Sequence, residues 1–460
     1  MKGSFDVVVI GAGAAGTSAA LALSERNLKV LVIEASETQA RPDLTSRLPI
    51  SWSRSPRVRP ILSRLAGQPL QSFCYAWEQD PQGFVRDSEW PYSSEDFVWV
   101  RGARLGGRMS VEGHGRKFPR FDEFEFQQAD GSSAAWPVGL RDLSSHYESV
   151  ESLLGVVTPE FLQREDVAEA LWPGAPSQML ATGDFSRALT QLRALRNVSF
   201  LSRTRVSGLV FDEGAGGALR ALSCVTKNKG LTPFEIPATR VVLAASPFES
   251  SRMLLASQFS ERSPILGRFI MDHVKSVIDF PAPDSVLRLG VGGAQDFYVR
   301  HRGSRSGLEF GVQVYLGVDS RMRLRAFGPM QPRFENCLEI DESSRDAWGI
   351  ATLRIRCSHG EQDRALAEDQ REFLEKAARS ESRAVTLRSG LACHEAGGLR
   401  MGTELENSVV NSDLQVWQNK EISVVDASVF PSVGRLNPTL TVMALARRAA
   451  LGFTKTAAVP

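Results

Sequence analysis

The clearest hydrophobic pattern in the chain is a set of short runs in which aliphatic residues predominate. Residues 5–10, 29–33 and 240–245 are rich in valine, isoleucine and leucine. Such β-branched runs are typical of strands that are buried on both faces of a parallel sheet. Because the third run lies far along the chain from the first two, we expect one sheet to be assembled from distant segments.

A second pattern, with a period of two residues, covers residues 297 to 356. Apolar and polar side chains alternate there in short stretches that Gly, Asp and Ser separate. This alternation predicts an antiparallel sheet with one covered face. A helix is expected after it, because Leu366, Phe373, Leu374 and Ala377 form one apolar stripe among charged residues. The predicted fold class is α/β, or α+β overall.

The first apolar run leads directly into a glycine-rich turn, Gly11-Ala12-Gly13-Ala14-Ala15-Gly16. A helical sequence follows, and then the second apolar run, which ends in Glu34 and Ala35. This order is typical of a dinucleotide-binding unit, because glycines allow close approach to a pyrophosphate and the helix N-terminus supplies N–H groups. Glu34 is expected to accept hydrogen bonds from an adenosine ribose. The unit leaves open whether the dinucleotide is FAD or NAD.

Two adjacent glycines, Gly106 and Gly107, mark a second candidate binding segment. Arg104 precedes them and Ser110 follows them. Glycines flanked by hydrogen-bond donors suit a close approach of the backbone to a flat or anionic ligand. An ordinary turn would have a similar sequence, so both interpretations stay open at this point.

The candidate chemistry lies near the C-terminus, where His394 stands before a pair of glycines and Asn437 before a proline. Oxidation of an alcohol needs a base for the hydroxyl proton and a polar group that holds the oxygen. His394 is the candidate base and Asn437 the candidate partner. The alternatives are a buried, hydrogen-bonded histidine and, because Pro438 follows Asn437, a helix N-cap.

Composition narrows the class of protein. The chain has 460 residues, a formal net charge of +1 and 42% hydrophobic residues, which gives no sign of nucleic-acid binding. No signal peptide is visible, and no apolar run approaches the roughly 20 residues of a membrane span. Five cysteines without a CxxC motif favour a reducing compartment, so a cytoplasmic location is expected. The six histidines include no pair at metal-ligand spacing, so no metal site is expected.

Residues 41–60 differ from the rest of the chain, because arginines alternate there with prolines. Proline at this density excludes a regular helix or a central strand. We favour a solvated surface segment. The alternative is a basic lid over a substrate that carries an anionic group.

Several motifs follow one another along almost the whole chain. They are the glycine turn with Glu34, followed by residues 105–108, 241–245, 266–273, 334–350, 394–402, 425–431 and 437–441. This ordered set resembles the glucose–methanol–choline (GMC) oxidoreductases, a family of FAD-dependent alcohol oxidases and dehydrogenases. Within that family it is most similar to the branch of gluconate-dehydrogenase-like flavoproteins and pyranose oxidases.

The resemblance implies two domains. One is a discontinuous Rossmann-like FAD-binding domain, and the other is a substrate domain with an antiparallel β-sheet. The FAD-binding domain would comprise residues 1–40, 100–128, 180–275 and 390–460. The substrate domain and its lid segments would comprise residues 41–99, 129–179 and 276–389.

The resemblance also implies roles for single residues. His394 matches the catalytic base and Asn437 its partner, while Asp426 matches a residue near the ribityl chain of the flavin. The backbone at Val206 would contact adenine, and a helix starting at Pro438 would direct its positive end at the flavin. Further cofactor contacts are expected at Ala245, Ala427 and Thr439.

The chain departs from its relatives after the double glycine. Many relatives carry a histidine there, and in some it binds the flavin covalently, whereas this chain has Val111 and Glu112. His114 follows in a different register, so non-covalent FAD is expected.

The reaction implied by the resemblance is hydride transfer to FAD from a sugar, polyol or aminocyclitol-like alcohol. The electron acceptor, whether oxygen, a quinone or a redox protein, stays open. The alternatives are a lyase or isomerase on the same scaffold and a non-catalytic dinucleotide-binding regulator.

Overall fold

The structure is a computed structural model of the chain. It describes residues 5–36, 85, 87–95, 97–102, 104–111, 117–127, 135–157, 177–179, 181–212, 217–257, 259, 263–284, 295–316, 321–378, 385–386 and 394–453. The predicted surface segment or lid at residues 41–60 lies outside the described residues. No helix in the described ranges is both long enough and apolar enough to cross a membrane.

The elements are numbered along the described part of the chain. The strands are β1 (Val7–Ile10), β2 (Val30–Ile33), β3 (Tyr92–Ser94), β4 (Ser177–Met179), β5 (Val198–Leu201), β6 (Thr204–Phe211), β7 (Leu219–Thr226), β8 (Thr232–Pro237), β9 (Val241–Leu243), β10 (His273–Pro281), β11 (Gln295–Arg302), β12 (Glu309–Leu316), β13 (Arg321–Pro329), β14 (Cys337–Arg345), β15 (Ala351–Arg356), β16 (Val385–Thr386), β17 (Gln415–Val416) and β18 (Asn419–Val424). The α-helices are α1 (Ala14–Glu25), α2 (Glu123–Gln127), α3 (Leu140–Leu154), α4 (Phe185–Ala194), α5 (Pro247–Leu255), α6 (Glu361–Ala377) and α7 (Thr439–Leu451). Short 3-10 helices cover Gly107–Ser110, Lys227–Lys229 and Ala427–Val429.

The three apolar runs form the centre of a sheet whose strand order is β17-β18-β9-β1-β2-β5. Strand β1 pairs in parallel with β2 and β9, and β18 continues the parallel pairing beyond β9. Every side chain of β1, β2 and β9 is buried. Full burial of each such valine or isoleucine contributes about 1.5–3 kcal/mol. The predicted assembly of one parallel sheet from distant segments is confirmed.

The glycine turn connects β1 to α1 at a point where the chain passes very close to the end of β9. Gly11 has a φ of 98°, and a Cβ atom there would lie 2.4 Å from the carbonyl oxygen of Ala244. A Cβ atom at Gly16 would lie 1.9 Å from the carbonyl oxygen of Gly11. Both separations are too short for any side chain, so the geometry of the turn requires glycine at these two positions.

Helix α7, which follows Asn437, is anchored by buried hydrogen bonds to two other helices. Ser18 on α1 donates through its Oγ to the carbonyl oxygen of Met443 at 2.7 Å. The hydroxyls of Tyr147 on α3 and Thr441 on α7 lie 2.7 Å apart. These contacts fix the position of the helix and therefore of the segment that enters it.

A second sheet has the order β16-β10-β13-β12-β11-β4, with antiparallel pairing throughout. Its register places Lys275 opposite Phe327, and it aligns Arg325 with Gln313 and Gln313 with Tyr298. Residues directly opposite one another share a face, and so do residues two positions apart on a strand. These five side chains therefore lie on one face. The predicted antiparallel sheet is confirmed for β11, β12 and β13, whereas β14 and β15 belong to a separate sheet in which β15 pairs in parallel with β3.

Two three-stranded sheets, β14-β15-β3 and β6-β7-β8, complete the described β-structure. A buried ion-pair cluster joins them to helix α5. Arg205 on β6 lies 3.0 Å from Glu249 on α5 and also pairs with Asp346, which follows β14. The cluster ties the two small sheets to helix α5 beside a cavity that Arg205 and Glu249 help to line.

Candidate active site

One cavity is bounded both by the ends of the parallel strands β1, β2 and β9 and by one face of the antiparallel sheet. The predicted site residues that line it are Gly11, Gly13, Ala14, Ala15, Glu34, Ala35, Gly106, Gly107, Val206, Ala245, His394, Asp426, Ala427, Asn437, Pro438 and Thr439. The structure therefore brings together motifs from the beginning, middle and end of the chain.

Three further predicted site residues do not line the cavity, and each has a structural role beside it. Gly16 packs against the carbonyl of Gly11. Arg104 accepts a hydrogen bond at its carbonyl from the backbone N–H of Gly107 at 2.8 Å, which closes the turn. Ser110 packs against Gly106, where a Cβ atom would lie 2.1 Å from the hydroxyl oxygen.

The N-terminal glycine turn forms one end of the cavity. A Cβ atom added at Gly13 would find no atom within 4 Å, so the backbone there faces open space. Glu34 is held beside it, because Ala12 N donates to Oε2 at 2.8 Å and Ser36 N donates to Oε1 at 2.9 Å. Each carboxylate oxygen has a second lone pair available for a ribose hydroxyl.

The double glycine lies beside the glycine turn, and both segments line the cavity. A Cβ atom on Gly107 would lie 3.7 Å from the Cα of Gly13. Gly106 and Gly107 have φ values of 90° and 58°, in the left-handed region that favours glycine. Arg108 Nη1 donates to the buried Glu395 Oε2 at 2.8 Å, which ties the turn to the segment that carries His394.

Asp426 fixes the middle of the cavity wall. Its Oδ1 accepts hydrogen bonds from the backbone N–H and the hydroxyl of Ser428, at 3.1 Å and 2.6 Å. Its Oδ2 accepts from the Ser250 hydroxyl at 2.5 Å, and that hydroxyl in turn accepts from Ala245 N at 3.2 Å. Burial raises the pKa of Asp426 despite these hydrogen bonds. The network joins helix α5 to the C-terminal segment.

His394 is positioned at the other end of the cavity by residues at the start of β10. Asp272 Oδ1 accepts from the backbone N–H of His394 at 3.1 Å and from that of His273 at 2.7 Å. The Nδ1 atoms of the two histidines lie 3.0 Å apart. One imidazole nitrogen must therefore donate to the other.

Asn437 lies beside the other nitrogen of His394. Its Nδ2 atom is 3.2 Å from His394 Nε2, and its Oδ1 accepts from the Tyr298 hydroxyl at 2.7 Å. Helix α7 begins at Thr439, with Pro438 in the N-cap position and no side-chain cap. The N-cap interpretation of Asn437 is therefore wrong, and a helix start at Pro438 is one residue too early.

These contacts define the protonation of His394. An amide nitrogen only donates hydrogen bonds, so His394 Nε2 accepts from Asn437 and carries a lone pair. The ring proton then lies on Nδ1, which donates to His273 Nδ1. Burial lowers the pKa of His273 to about 3, so this second imidazole stays neutral and accepts. His394 thus presents an unprotonated nitrogen to the cavity, as a general base must.

Asp272, His273 and His394 place their potential ligand atoms within 4.8 Å of one another. Spacing along the chain did not indicate this cluster, because its members come from two distant segments. Hydrogen bonds among the three residues account for their approach. Burial, reinforced by Glu395, raises the pKa of Asp272 to about 7, so this carboxyl is largely neutral in acid. The expectation that the chain has no metal site stays a prediction.

The described residues fit FAD. The open backbone at Gly13 and the adjacent double glycine suit a pyrophosphate, and the carboxylate at the end of β2 suits a ribose. The histidine that faces the far end of the same cavity suits proton transfer. Together these features define a flavin-dependent oxidoreductase.

Two family models match the chain. The model of the FAD dependent oxidoreductases matches residues 6–380, and the model described as GMC oxidoreductase matches residues 332–446. The chain belongs to the GMC oxidoreductases, which confirms the family to which its motifs point. The narrower resemblance to one branch of the family stays a prediction.

Relatives that match over most of their length carry names of related activities. The chain is 23% identical to 2-methyl-1,2-propanediol dehydrogenase of Mycolicibacterium austroafricanum, over 96% of this chain and 94% of that one. It is also 23% identical to paromamine 6'-oxidase of Streptomyces fradiae, over 97% and 90%. Among solved structures, pyridoxine 4-oxidase from Mesorbium loti has a TM-score of 0.64 at 19% identity, over 97% of this chain and 98% of that chain. Formate oxidase has a TM-score of 0.66 at 14% identity, over 97% of both chains. The two structures support the fold.

Sequence reasoning missed the residues that the antiparallel sheet contributes. Lys275, Gln313, Arg325 and Phe327 line the cavity, and Tyr298 positions Asn437 from the same face. The sequence did contain one indication of these residues, a charged side chain in a strand that is predicted to be covered on one face. Only the register between strands shows that these positions converge.

Proposed function

We propose that this protein oxidises an alcohol to a carbonyl compound with non-covalently bound FAD. When bound, FAD accepts the hydride that leaves the alcohol carbon. The observation that carries the proposal is the pair His394 Nε2 and Asn437 Nδ2, which lie 3.2 Å apart in the wall of the cavity. A substrate hydroxyl that displaces this hydrogen bond would donate to Nε2 and accept from Nδ2.

His394 is the base in this proposal. A hydroxyl placed at Nε2 donates its proton to the lone pair, and the imidazole becomes positively charged as the hydride departs. His273, neutral and in contact with Nδ1, keeps the ring proton on the side away from the substrate. Asp272 positions both backbones, so the imidazole keeps its place when its charge changes.

Asn437 holds the substrate oxygen. Its amide donates to the oxygen as negative charge develops there, and a fixed donor of this kind stabilises the transition state. The Tyr298 hydroxyl donates to Asn437 Oδ1 and so fixes which end of the amide faces His394. The substrate oxygen is then bound between the two side chains in a single orientation.

The names of the relatives support an alcohol substrate of the polyol, aminoglycoside or hydroxymethyl type. No observation on the described residues favours a lyase, an isomerase or a non-catalytic regulator. Two points stay predictions, namely the cytoplasmic location and the division into two domains. The identity of the electron acceptor stays open.

An anaerobic screen tests the proposal. The purified protein is mixed without oxygen with sugars, polyols, aminocyclitols and aromatic alcohols, and flavin absorbance is followed. We expect at least one alcohol to bleach the flavin with formation of the matching carbonyl compound. His146→Gln, which changes a histidine on α3 outside the cavity, is the matched control for His394→Gln. Product formation without bleaching would contradict the proposal.

A further inference from the structure

A buried carboxylate and an indole ring lie at the dinucleotide end of the cavity, away from the candidate base. Thr204 N donates to the carbonyl oxygen of Glu34 at 3.1 Å, so strand β6 begins beside the predicted ribose acceptor. Arg205 is the next residue of β6. Its Nη2 lies 3.0 Å from Glu249 Oε2, and its guanidinium carbon lies 3.6 Å from the centroid of the Trp90 ring. Arg205, Glu249 and Trp90 all line the cavity.

The ion-pair cluster engages only one oxygen of the Glu249 carboxylate. Glu249 is 4% exposed, and its Oε2 accepts from Arg205 Nη2 and from Arg252 Nε, each at 3.0 Å. The other oxygen, Oε1, is buried and has no hydrogen-bond partner among the described residues.

This second oxygen can only accept a hydrogen bond. Burial alone would raise the pKa of Glu249, but the charges of Arg252 and Arg205 lower it, so the group is a carboxylate. A buried acceptor without a donor is destabilising. Oε1 therefore indicates a ligand that brings a donor to this part of the cavity.

The indole of Trp90 is held firmly beside the carboxylate. The Arg205 guanidinium covers one face of the ring, and Trp99 meets it edge to face with the ring centroids 6.4 Å apart. Arg101 Nη1 donates to the carbonyl oxygen of Trp90. A fixed indole in the wall of a cavity offers a stacking surface to a planar ring.

Adenine has both features that this wall requires, a planar ring and an exocyclic amino group that donates hydrogen bonds. With the pyrophosphate at the glycine turn and the ribose at Glu34, the base of the dinucleotide lies beyond Glu34. The backbone at Val206, which the family resemblance assigns to adenine, lines the same cavity, and its carbonyl oxygen accepts from Arg252 Nη2 at 2.8 Å. Arg252 thus joins Val206 to Glu249.

We propose that Glu249 and Trp90 recognise the adenine base of FAD: Glu249 Oε1 accepts from its exocyclic amino group, and the Trp90 indole stacks on its ring. The site then selects FAD against flavin hypoxanthine dinucleotide, in which a carbonyl oxygen replaces the amino group. The inference concerns recognition of the cofactor, so it goes beyond the proposed alcohol oxidation and does not depend on the substrate. The competing role of Glu249 is structural, as the counter-ion that joins Arg205 to Arg252.

The first test compares the two dinucleotides on the wild-type protein. The full-length apoprotein is titrated with FAD and with flavin hypoxanthine dinucleotide while flavin fluorescence is recorded. We expect the hypoxanthine dinucleotide to bind about 10- to 150-fold more weakly, the effect of a lost hydrogen bond to a charged group. Equal affinities would overturn the role of Glu249, and this result needs no variant to fold.

Glu249→Gln tests whether this carboxylate is the group that reads the base. The two arginines only donate, so the amide oxygen must face them and the amide nitrogen takes the position of Oε1. That nitrogen donates to the carbonyl oxygen of hypoxanthine and opposes the amino group of adenine. We therefore expect the variant to bind flavin hypoxanthine dinucleotide more tightly than FAD.

Asp346→Asn is the matched control, because Asp346 also pairs with Arg205 but is not among the described residues that line the cavity. It should keep the wild-type preference for FAD. An unchanged preference in Glu249→Gln, or the same reversal in Asp346→Asn, would leave Glu249 with its structural role alone.

Trp90→Ala tests the stacking. It should weaken both dinucleotides by about 5- to 150-fold, the range for loss of a base stacked on an aromatic ring, and leave their affinity ratio unchanged. Trp90→Phe, which keeps an aromatic ring, should retain most of the affinity. Trp348→Ala is the control, since Trp348 lies 5.9 Å from the same guanidinium but is not among the described cavity-lining residues.

Unchanged affinity in Trp90→Ala, or equal weakening in Trp348→Ala, would overturn the stacking. The proposed alcohol oxidation would survive each of these results, since it is judged separately by flavin bleaching and by His394→Gln.

Discussion

The Nδ1 atoms of His394 and His273 lie 3.0 Å apart, although the two residues are separated by 121 positions in the chain. The contact explains how the candidate base is held in one tautomer. His273 is buried and neutral, with a pKa lowered to about 3 by that burial, so it accepts the Nδ1 proton of His394 over the physiological pH range. The Nε2 nitrogen that faces the cavity carries no proton, and its lone pair accepts from Asn437 Nδ2.

Replacement of His394 by alanine removes the proposed base and leaves the residues proposed to bind FAD unchanged. We expect His394→Ala to fold and retain FAD while flavin reduction by a good substrate slows by about 100- to 10,000-fold. Stopped-flow absorbance without oxygen measures this rate. His146→Gln provides the control, and a reduction rate near that of the wild type in His394→Ala would rule out the assigned base.

Asn437→Ala separates the catalytic role from a structural one. The helix that follows has no side-chain cap from Asn437. Loss of an N-cap typically costs about 1 kcal/mol, so the free energy of unfolding should fall by less than this in Asn437→Ala. Loss of the donor to the developing oxygen charge should slow reduction by about 100- to 1,000-fold. Thermal melts and stopped-flow reduction measure the two effects. Tyr298→Phe removes only the hydrogen bond to the amide oxygen, so it should slow flavin reduction less than Asn437→Ala does. A large loss of stability with a normal rate of flavin reduction in Asn437→Ala would contradict the catalytic role of Asn437.

The parallel sheet and the glycine turn could be predicted because their signals are local. A short aliphatic run specifies a buried strand, and Gly16 is required by the carbonyl of Gly11 within the same turn. Asn437 could not be decided from sequence, because an N-cap and an active-site amide have the same Asn-Pro neighbourhood. The structure excludes the N-cap and places the amide against His394 and Tyr298, which lie elsewhere in the chain, while the catalytic role of Asn437 stays a prediction.

The cavity-lining cations Lys275 and Arg325 are a second example of information that local sequence lacks. Lys275 and Arg325 belong to separate strands, and only the antiparallel register makes them neighbours. A one-residue shift of that register would place them on opposite faces.

The domain boundaries inferred from the family resemblance stay a prediction.

Glu34→Ala tests the dinucleotide end of the cavity. The variant loses a charged acceptor that holds Ala12 N and is expected to hold the adenosine ribose. We expect FAD affinity to fall by about 1.5–3 kcal/mol, which equilibrium titration of the apoprotein with FAD measures. Glu25→Ala, at the exposed end of α1 where Glu25 pairs with Arg447, is the control. Unchanged affinity in Glu34→Ala would mean that the ribose binds elsewhere.

The flavin should be released when the protein is denatured. Val111 has no nucleophile and is 2% exposed, so the position that carries a covalent histidine in some relatives cannot form such a bond here. Acid precipitation followed by washing should leave the yellow colour in the supernatant. Flavin that stays in the pellet would contradict this expectation, and peptide mapping would then start at His114.

The last prediction concerns stability and pH, and it rests on Asp272. Burial raises the pKa of this carboxyl from 3.8 to about 7, so the folded state binds a proton more tightly than the unfolded state does. A raised folded-state pKa contributes stability that is fully present below pH 3.8 and is lost as the pH rises through about 7. His273 has the opposite sign, because its pKa falls from 6.5 to about 3 and its contribution is lost as the pH falls through that range.

Asp272→Asn removes the first effect and leaves the second, since an asparagine carbonyl oxygen can still accept from the backbones of His273 and His394. Relative to this variant, the wild type should lose stability as the pH rises from about 4 to about 7. Thermal melts of both proteins at several pH values in this window measure the difference. Asp279→Asn, which changes the partly exposed partner of Arg323, is the matched control. If the melting temperatures of wild type and Asp272→Asn run parallel from pH 4 to 7, the carboxyl of Asp272 titrates as in the unfolded chain. Its place as the buried anchor of the two histidines would then have to be abandoned.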